Sequence, residues 1–182
     1  MSDGTSITIR CMRHDDVKQF FAALKSAAES GSGYGYDEMS SWDVFVEHYV
    51  DGFRNVVAEL TQTGDVMAYF NAGGPSLYAR TADPVILDAG NSFLTPKYRG
   101  RHWYSELCNF SQVFMDTSDS EIRGYQGETA ATNLPVHFAM MNINYTVNGI
   151  LPRAIYFKDC GWVDLVLLFR RRPYCGEVLA KL

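Results

Sequence analysis

Apolar and polar side chains alternate along several short segments of the chain, which is the pattern of half-buried β-strands. The sequence Gln62–Asp65 forms a turn between two of these segments, and Asp159–Gly161 separates the last two, so each pair predicts a hairpin. Within one long segment, Ala89 and Gly90 predict a bulge or a splay. The predicted strands are 5–12, 55–61, 66–71, 84–94, 121–130, 149–158 and 162–170.

Other segments repeat apolar residues every three or four positions, as amphipathic helices do. A glycine-rich stretch, 30–36, separates the first two of them. These helices are predicted at about 17–27, 40–53, 102–115 and 133–142. The order is strand, two helices, three strands, helix, strand, helix and two strands. This order predicts one mixed α/β domain over residues 1–182, with helices packed on a mixed sheet.

The composition narrows the class of protein. Of 182 residues, 47 % are apolar and 20 % charged, which excludes a disordered chain. The formal net charge of −5 argues against a nucleic-acid binder. No apolar run reaches the ~20 residues of a membrane span, and the first residues do not resemble a signal peptide. Four scattered cysteines without metal-ligand spacing predict reduced thiols and no metal site. Together with the net charge and the lack of a long apolar run, they predict a cytoplasmic protein without nucleic-acid or membrane partners.

The segment 92–107 carries the strongest chemical signal. A predicted strand ends before Pro96, a loop with Lys97, Arg99 and Arg101 follows, and a helix begins after it. A helix start offers unpaired N–H groups and the positive end of the helix dipole, which together favour phosphate oxygens. The segment therefore predicts either a phosphate site or an ordinary basic surface turn.

The sequence Pro96-Lys97-Tyr98-Arg99-Gly100 resembles the strand-to-helix segment of the GNAT superfamily of acyl-CoA-dependent N-acyltransferases. The order of elements and the stretch 144–151, which leads into the last hairpin, are similar to that family too. The resemblance implies a GNAT fold with a splayed central sheet and acetyl-CoA or another acyl-CoA as co-substrate. The residues that it implies for CoA are Phe93 and Leu94 beside the pantetheine arm, Arg99, Gly100, Arg101, His102, Trp103 and Tyr104 at the pyrophosphate, and Asn133. His102 and Tyr104 replace a glycine and a small residue of the family pattern.

Transfer to an ammonium group needs a general base, and the departing thiolate needs an acid. Glu128 is similar to a carboxylate common at that point of the family's strand, and Asp88 is the second candidate base. The family often places a tyrosine seven residues after the asparagine that Asn133 matches, but here Met140 stands there. His137, one turn after Asn133, is therefore the candidate acid or orienting donor. Each has a plain structural alternative: an exposed carboxylate for Glu128, an arginine partner for Asp88 and a packed histidine for His137.

The expected acceptor is a small-molecule or peptide amine. By the same resemblance, Tyr34, Tyr36 and Glu38 would bind it, since aromatic and acidic side chains suit a cationic or aromatic amine. The alternative for these residues is an exposed loop without a ligand. The expected reaction is direct N-acyl transfer, most often of an acetyl group, within a ternary complex. Two alternatives stay open: a catalytically silent CoA- or ligand-binding module, and a longer-chain acyl donor.

Two features near the end of the chain complete the predictions. Arg170–Arg172 predicts a solvated edge after the last strand, or alternatively a contact to an anionic acceptor or to a phosphate of CoA. Ile155, Val163 and Leu165 are expected to be exposed on the last hairpin and to form the contact of a homodimer.

Overall fold

The computed structural model of the protein describes residues 1–29, 53–75, 85–90, 92–118, 122–157 and 159–172. These residues form eight strands and three α-helices, and a short 3₁₀ turn spans Pro96–Tyr98. In chain order the elements are β1 (Ile7–Cys11), α1 (His14–Glu29), β2 (Phe53–Leu60), β3 (Val66–Pro75), β4 (Val85–Asp88), β5 (Phe93–Leu94), α2 (Tyr104–Ser118), β6 (Ile122–Ala130), α3 (Leu134–Asn142), β7 (Thr146–Phe157) and β8 (Gly161–Arg171). The predicted helix at 40–53 lies outside the described residues, except that Phe53 begins β2.

The strands form one mixed sheet with the order β1-β2-β3-β4-β6-β8-β7, and β5 pairs with β3 beside this path. Among the strands of the described residues, only β4 and β6 run parallel, while every other pair is antiparallel. The predicted mixed α/β architecture is confirmed. None of the helices within the described ranges is long and apolar enough to cross a membrane.

The single strand predicted over 84–94 is wrong, because two strands occupy these residues. β4 ends at Asp88 and pairs with both β3 and β6, whereas β5 pairs only with β3. The break lies at Ala89 and Gly90, the pair that predicted a bulge or a splay. A continuous apolar run does not distinguish one strand from two, because pairing partners far along the chain decide where the ladder ends.

Helix α1 covers one face of the sheet, which we call the front face. Its apolar residues Val17, Phe20 and Leu24 recur at helical spacing and form a buried cluster with Val57, Tyr69 and Phe93 on β2, β3 and β5. The Phe20 and Tyr69 rings stack with their centroids 4.8 Å apart. Burial of each such side chain contributes about 1.5–3 kcal/mol, which holds α1 against the sheet.

The opposite, back face of the sheet packs against α2 and α3. Leu107 and Met115 of α2 contribute to one core cluster with Leu87 of β4 and Tyr125 of β6. The Tyr125 hydroxyl donates a hydrogen bond of 2.7 Å to Asp116 Oδ1 on α2. The main hydrophobic core of the described chain therefore lies behind the sheet, under the two helices that follow the parallel strands.

Two predictions about the last hairpin are corrected by this packing. Arg170 lies within β8 on the back face and is only 4 % exposed, and Arg172 is half-buried, so only Arg171 of this run is exposed to solvent. Ile155, Val163 and Leu165 are half-buried rather than exposed. Strand periodicity gave the correct spacing of these residues, but it does not tell which face of the hairpin is covered.

Candidate functional site

The two parallel strands separate at their carboxyl ends and leave a gap in the sheet. β4 pairs with β6 up to Asp88 opposite Gln126, and the Ala89 N–H donates to the Gln126 carbonyl. A Cβ added at Gly127 would lie 3.1 Å from the Ala89 carbonyl oxygen, so the strands are still close there. Beyond this point β5 pairs only with β3, and the end of β6 pairs only with β8. The splayed central sheet is therefore present in the fold.

The backbone of Leu94 faces this gap. The Thr95 N–H donates to the Met67 carbonyl on β3, 2.9 Å away. In an antiparallel pair such contacts recur at every second residue, so Phe93 also directs its backbone groups to β3, and Leu94 directs its own away from β3. Of the two residues predicted beside a pantetheine arm, only Leu94 offers its N–H and carbonyl to the gap.

Arg99 belongs to the loop that precedes α2, and its side chain contacts β5 at the gap. Its Nε donates a hydrogen bond of 3.1 Å to the Leu94 carbonyl, and its guanidinium lies 5.0 Å from the centre of the Phe93 ring. The side chain is exposed. A carbonyl oxygen accepts two hydrogen bonds, so a ligand can pair with the Leu94 carbonyl beside Arg99, or displace Arg99 and free its guanidinium to move toward the helix start.

Two buried aromatic side chains hold the loop in place. The Tyr98 hydroxyl donates to Asp65 Oδ2 at 3.1 Å, and the Trp103 indole N–H donates to Asp3 Oδ2 at 3.0 Å. Lys97 forms an ion pair of 2.8 Å with the same Asp65 oxygen. These contacts lower the pKa of Asp65, with the Lys97 hydrogen bond as the largest cause. Lys97 and the Trp103 ring therefore serve the loop's own structure. Within the described residues, Arg99 and Arg101 are the exposed cations at the helix start that form no ion pair.

Two of the loop residues between these anchors adopt left-handed backbone conformations. Gly100 has φ +77° and His102 has φ +59°, so the histidine that replaces the family glycine keeps a glycine-like backbone. The His102 side chain is exposed. Tyr104 is half-buried against the back-face core and hydrogen-bonds with Cys108. The Tyr104 side chain is thus directed into the protein, and the imidazole is the larger obstacle to a phosphate at this helix start.

Three polar side chains lie on the front face at the gap. Leu87 and Tyr125 belong to the back-face core, so their neighbours Asp88 and Gln126, which pair with each other, project to the front. Glu128 lies two residues further along β6, on the same face. The Cα atoms of Asp88 and Glu128 are about 8 Å apart by strand geometry. The two candidate bases therefore share one face, with Gln126 beside both.

Glu128 is the first residue of β6 beyond the close approach at Gly127. The Glu128 residue taken as a whole is exposed, but protein atoms around its carboxyl group displace part of that group's hydration. This desolvation raises the pKa of Glu128 above the ordinary carboxyl value. A carboxylate with a raised pKa is a stronger base once it is ionised. No helix among the described residues covers this part of the front face, since the cluster under α1 lies on β2, β3 and β5.

Helix α3 begins at the same end of the sheet, directly after β6. The Asn133 carbonyl accepts hydrogen bonds from the N–H groups of Val136 and His137, while the Asn133 side chain makes no capping bond. His137 is half-buried, and its Nε2 atom is buried without a hydrogen-bond partner among the described residues. Met140 packs against the back-face core. Within the part of the chain that the structure describes, the Asn133 side chain is thus not used as a helix cap and His137 Nε2 has no hydrogen-bond partner.

Sequence reasoning missed Gln126 and Gly127. Gln126 precedes Glu128 by two positions, so strand alternation was the signal that could have placed both side chains on one face. Gly127 stands in the middle of a strand, and a glycine there often marks a close backbone approach.

The predicted acceptor residues Tyr34, Tyr36 and Glu38 lie outside the described residues. Within the described ranges, no group of three or more His, Cys, Asp or Glu side chains could hold a metal ion.

Comparison with known proteins adds to this geometry at the level of the fold. No protein-family model matches the sequence, and no curated protein matches it. Among solved structures, the fold is similar to a GCN5-related N-acetyltransferase from Kribbella flavida, with 20 % identity, a TM-score of 0.73 and coverage of 91 % of this chain and 98 % of that chain.

Two further solved structures contain CoA-type ligands. The yncA protein of Salmonella typhimurium, solved with its cofactor acetyl-CoA, is 16 % identical with a TM-score of 0.71, over 93 % of this chain and 96 % of that chain. Spermidine N-acetyltransferase from Vibrio cholerae, in complex with CoA and spermine, is 12 % identical with a TM-score of 0.70, over 91 % and 95 %. The chain therefore has the fold of the GCN5-related N-acetyltransferases, the GNAT fold.

Proposed function

We propose that the protein is an acyl-CoA-dependent N-acyltransferase. The transferred group is most often acetyl, and the acceptor is a small-molecule or peptide amine. One observation carries the proposal: two parallel strands part directly beside a helix start whose loop bears Arg99, and a carboxylate lies at the edge of the gap. That arrangement offers an anion site, an open strand edge and a base within one region. The similar Vibrio cholerae enzyme, solved with CoA and spermine, supports small amines as the class of acceptor.

In this proposal the acyl-CoA lies in the gap between β5 and β6. The diphosphate binds at the start of α2, where unpaired N–H groups, the helix dipole, Arg99 and Arg101 meet it. The pantetheine arm extends along the open edge of β5, as an added strand would. The Leu94 N–H then donates to the thioester carbonyl and stabilises the negative oxygen that develops during attack.

The chemistry is direct transfer between the two substrates. Glu128, with Asp88 as the second candidate, accepts a proton from the ammonium group, directly or through water. The free amine attacks the thioester carbon, the C–N bond forms, and the C–S bond breaks. His137 donates a proton to the departing thiolate or orients a donor to it, and the proton that the attacking nitrogen loses as the amide forms restores this donor.

The buried cysteine supports transfer without a covalent acyl-enzyme. Burial raises the pKa of Cys108 to about 12, so this residue is a neutral thiol under physiological conditions. A neutral, enclosed thiol is a poor nucleophile. Cys108 therefore has a packing role in this proposal, and the amine itself is the attacking group.

Met140 favours a second candidate function, a GNAT-fold module that binds CoA or another ligand without catalysis. A methionine cannot protonate a thiolate, and the family's usual acid is absent at this position. Incubation with acetyl-CoA and a panel of amines, followed by the release of free thiol, separates the two functions. Thiol release above the rate without protein supports the enzyme, whereas binding without turnover across the panel supports the module.

The phosphate site is tested by Arg99→Ala. Loss of one charge-assisted hydrogen bond costs about 1.5–3 kcal/mol of binding free energy, so calorimetry should show CoA binding weakened at least several-fold. Lys18→Ala is the matched control, because it removes one exposed positive charge from α1, away from the loop. Equal affinities for Arg99→Ala and the unchanged protein would contradict the assignment of the diphosphate to this loop.

A further inference from the structure

Residues 1–6, which precede β1, are attached to the start of α2. The Trp103 indole N–H donates to Asp3 Oδ2 at 3.0 Å, and the Ser2 N–H donates to Glu106 Oε2 at 3.0 Å. Trp103 directly precedes α2, and Glu106 lies in its first turn. We call residues 1–6 the 1–6 segment. It contacts the helix start at two points, although it is distant from α2 along the chain.

Asp3 uses both of its carboxylate oxygens in this arrangement. Oδ1 accepts the Thr5 N–H at 2.9 Å, which closes a local turn, while Oδ2 accepts the indole N–H of Trp103. These hydrogen bonds lower the pKa of Asp3, with the backbone N–H of Thr5 as the largest cause, so the carboxylate is ionised at neutral pH. The turn fixes the direction of the carboxylate, and the carboxylate holds one edge of the indole ring.

Trp103 connects this contact to the loop before α2. Its residue is only 5 % exposed, and its ring stacks with the Tyr98 ring at a centroid distance of 6.3 Å. The Arg101 guanidinium lies 4.9 Å from the centre of the indole ring. The Trp103 carbonyl accepts the Leu107 N–H at 2.9 Å in the first turn of α2. A change in the orientation of Trp103 would therefore reach both the guanidinium and the helix start.

The two exposed arginines at the helix start are held in different ways. Arg99 is held from β5 by its hydrogen bond to the Leu94 carbonyl, whereas Arg101 lies over the Trp103 ring. A guanidinium over an aromatic face is attracted by the negative charge of the ring face, so the ring serves as its platform. The direction of Arg101 thus depends on the indole that Asp3 holds.

We propose that Asp3 is a positioning residue for the diphosphate at the start of α2. Asp3 does not contact the ligand, and it acts through Trp103, whose orientation sets Arg101 and the first N–H groups of the helix. The inference rests on the proposed function, because it takes the acyl-CoA diphosphate to bind at this helix start. It adds that the 1–6 segment orders the loop before the ligand arrives.

The charge of Asp3 and its position predict opposite effects on binding. As a negative charge near an anion site, Asp3 would repel a diphosphate, so its removal would tighten binding. As the acceptor for the indole N–H, it orders the loop in advance, so its removal weakens binding. Asp3→Asn separates the two effects, since the amide oxygen still accepts a hydrogen bond while the charge is gone.

Calorimetry with CoA on two variants of Asp3 tests the proposal. Asp3→Ala should raise the CoA dissociation constant about 3- to 10-fold, the effect of one lost hydrogen bond, whereas Asp3→Asn should stay within about 2-fold of the unchanged protein. Asp3 is exposed, so neither change disturbs the core. Pantetheine, which lacks the diphosphate, should bind equally to all three proteins, whereas a general loosening of the fold would weaken both ligands. Asp15→Ala, which removes an exposed carboxylate from α1, is the matched control and should leave the CoA affinity unchanged.

A double-mutant cycle tests the route through Trp103. Trp103→Phe keeps an aromatic ring and removes the indole N–H, so Asp3 has no donor left at this position. Asp3→Ala added to Trp103→Phe should therefore change the CoA dissociation constant by less than about 2-fold. Without any ligand, the indole N–H signal that Trp103→Phe removes from the nuclear magnetic resonance spectrum should shift in Asp3→Ala.

Equal CoA affinities of Asp3→Ala and the unchanged protein would overturn the positioning role and leave the proposed function standing. Tighter binding by both Asp3→Ala and Asp3→Asn would overturn it too, because charge would then outweigh position. Full additivity of Asp3→Ala and Trp103→Phe would exclude the route through the indole. Failure of the unchanged protein to bind CoA would contradict the proposed function itself, and this inference with it.

Discussion

His102 shows how a single side chain changes a loop without changing its backbone path. The family pattern has a glycine there, and this chain keeps a left-handed conformation, φ +59°, with a histidine. For an L-residue this conformation costs about 1–2 kcal/mol. The exposed imidazole lies at a helix start, where it can donate to a phosphate or hinder its approach.

Replacement of this residue by glycine should stabilise the protein. His102→Gly removes the left-handed strain, and the extra freedom of glycine in the unfolded chain offsets about 0.5–1 kcal/mol of that gain. We expect the free energy of unfolding to rise by about 0.5–1 kcal/mol in chemical denaturation. Arg101→Gly, at a neighbouring residue without positive φ, should instead lower it. A loss of stability in His102→Gly would mean that the imidazole makes a contact that offsets its backbone strain.

The raised pKa of Glu128 gives the proposed reaction a characteristic dependence on pH. A general base acts only when it is ionised, so kcat/KM should rise with pH through the Glu128 pKa, which burial holds above the ordinary carboxyl value. Glu128→Gln should lower kcat by about 10²–10⁴-fold and abolish this rise. Asp88→Asn is the comparison that decides between the two carboxylates. If Asp88→Asn alone removes the rise, the base is Asp88.

At the scale of elements, the start of α1 depends on one partly buried network of ionised groups. Arg10 of β1 contacts Asp16 at 2.6 Å and Glu59 of β2 at 2.7 Å, and Asp16 also accepts the Arg13 N–H. Burial alone would raise the pKa of Asp16, but the hydrogen bonds from Arg10 and Arg13 outweigh it and the pKa is lowered. The network thus joins the helix to the two strands beneath its first turn.

Loss of this carboxylate should loosen α1. We expect Asp16→Ala to lower the free energy of unfolding by roughly 2–3 kcal/mol, because it leaves a half-buried guanidinium with one partner fewer. Asp15→Ala, the exposed neighbour in the same helical turn, should change it by less than about 0.5 kcal/mol. Because the folded pKa of Asp16 is below the unfolded one, its contribution is present above the unfolded pKa and is lost as pH falls through the folded pKa. An equal effect of both substitutions would contradict the role of the network.

The elements also show what a sequence can and cannot predict. Local patterns placed α1, α2 and α3 to within a few residues, because each pattern reflects one helix against one surface. They did not separate β4 from β5, since the division depends on where β6 stops pairing with β4. They also assigned Arg170 to solvent, because nothing local tells that α2 covers that side of β8. At the candidate site the positions of Arg99 and Glu128 followed from motif and spacing, whereas the contact of Arg99 with Leu94 is purely tertiary.

At the scale of the whole molecule, the proposed CoA site joins parts of the chain that only folding brings together. β5, the loop before α2, and the ends of β6 and α3 would all contact one extended ligand. Binding to such a site stabilises the folded state alone, since the unfolded chain has no gap and no helix start. The size of that stabilisation depends only on the ratio of ligand concentration to the dissociation constant.

Thermal unfolding with and without CoA measures this linkage directly. At a free CoA concentration of about 100 times the dissociation constant, binding adds about 2.7 kcal/mol. For a chain of this size each kcal/mol shifts Tm by about 2–4 °C, so we expect a rise of roughly 5–10 °C. Pantetheine, which lacks the diphosphate, should give a much smaller rise at the same concentration, and Arg99→Ala should reduce the rise with CoA. Equal rises with CoA and pantetheine would mean that the helix start contributes nothing, because pantetheine lacks the diphosphate, and the adenosine 3′-phosphate attached to it, that would reach α2.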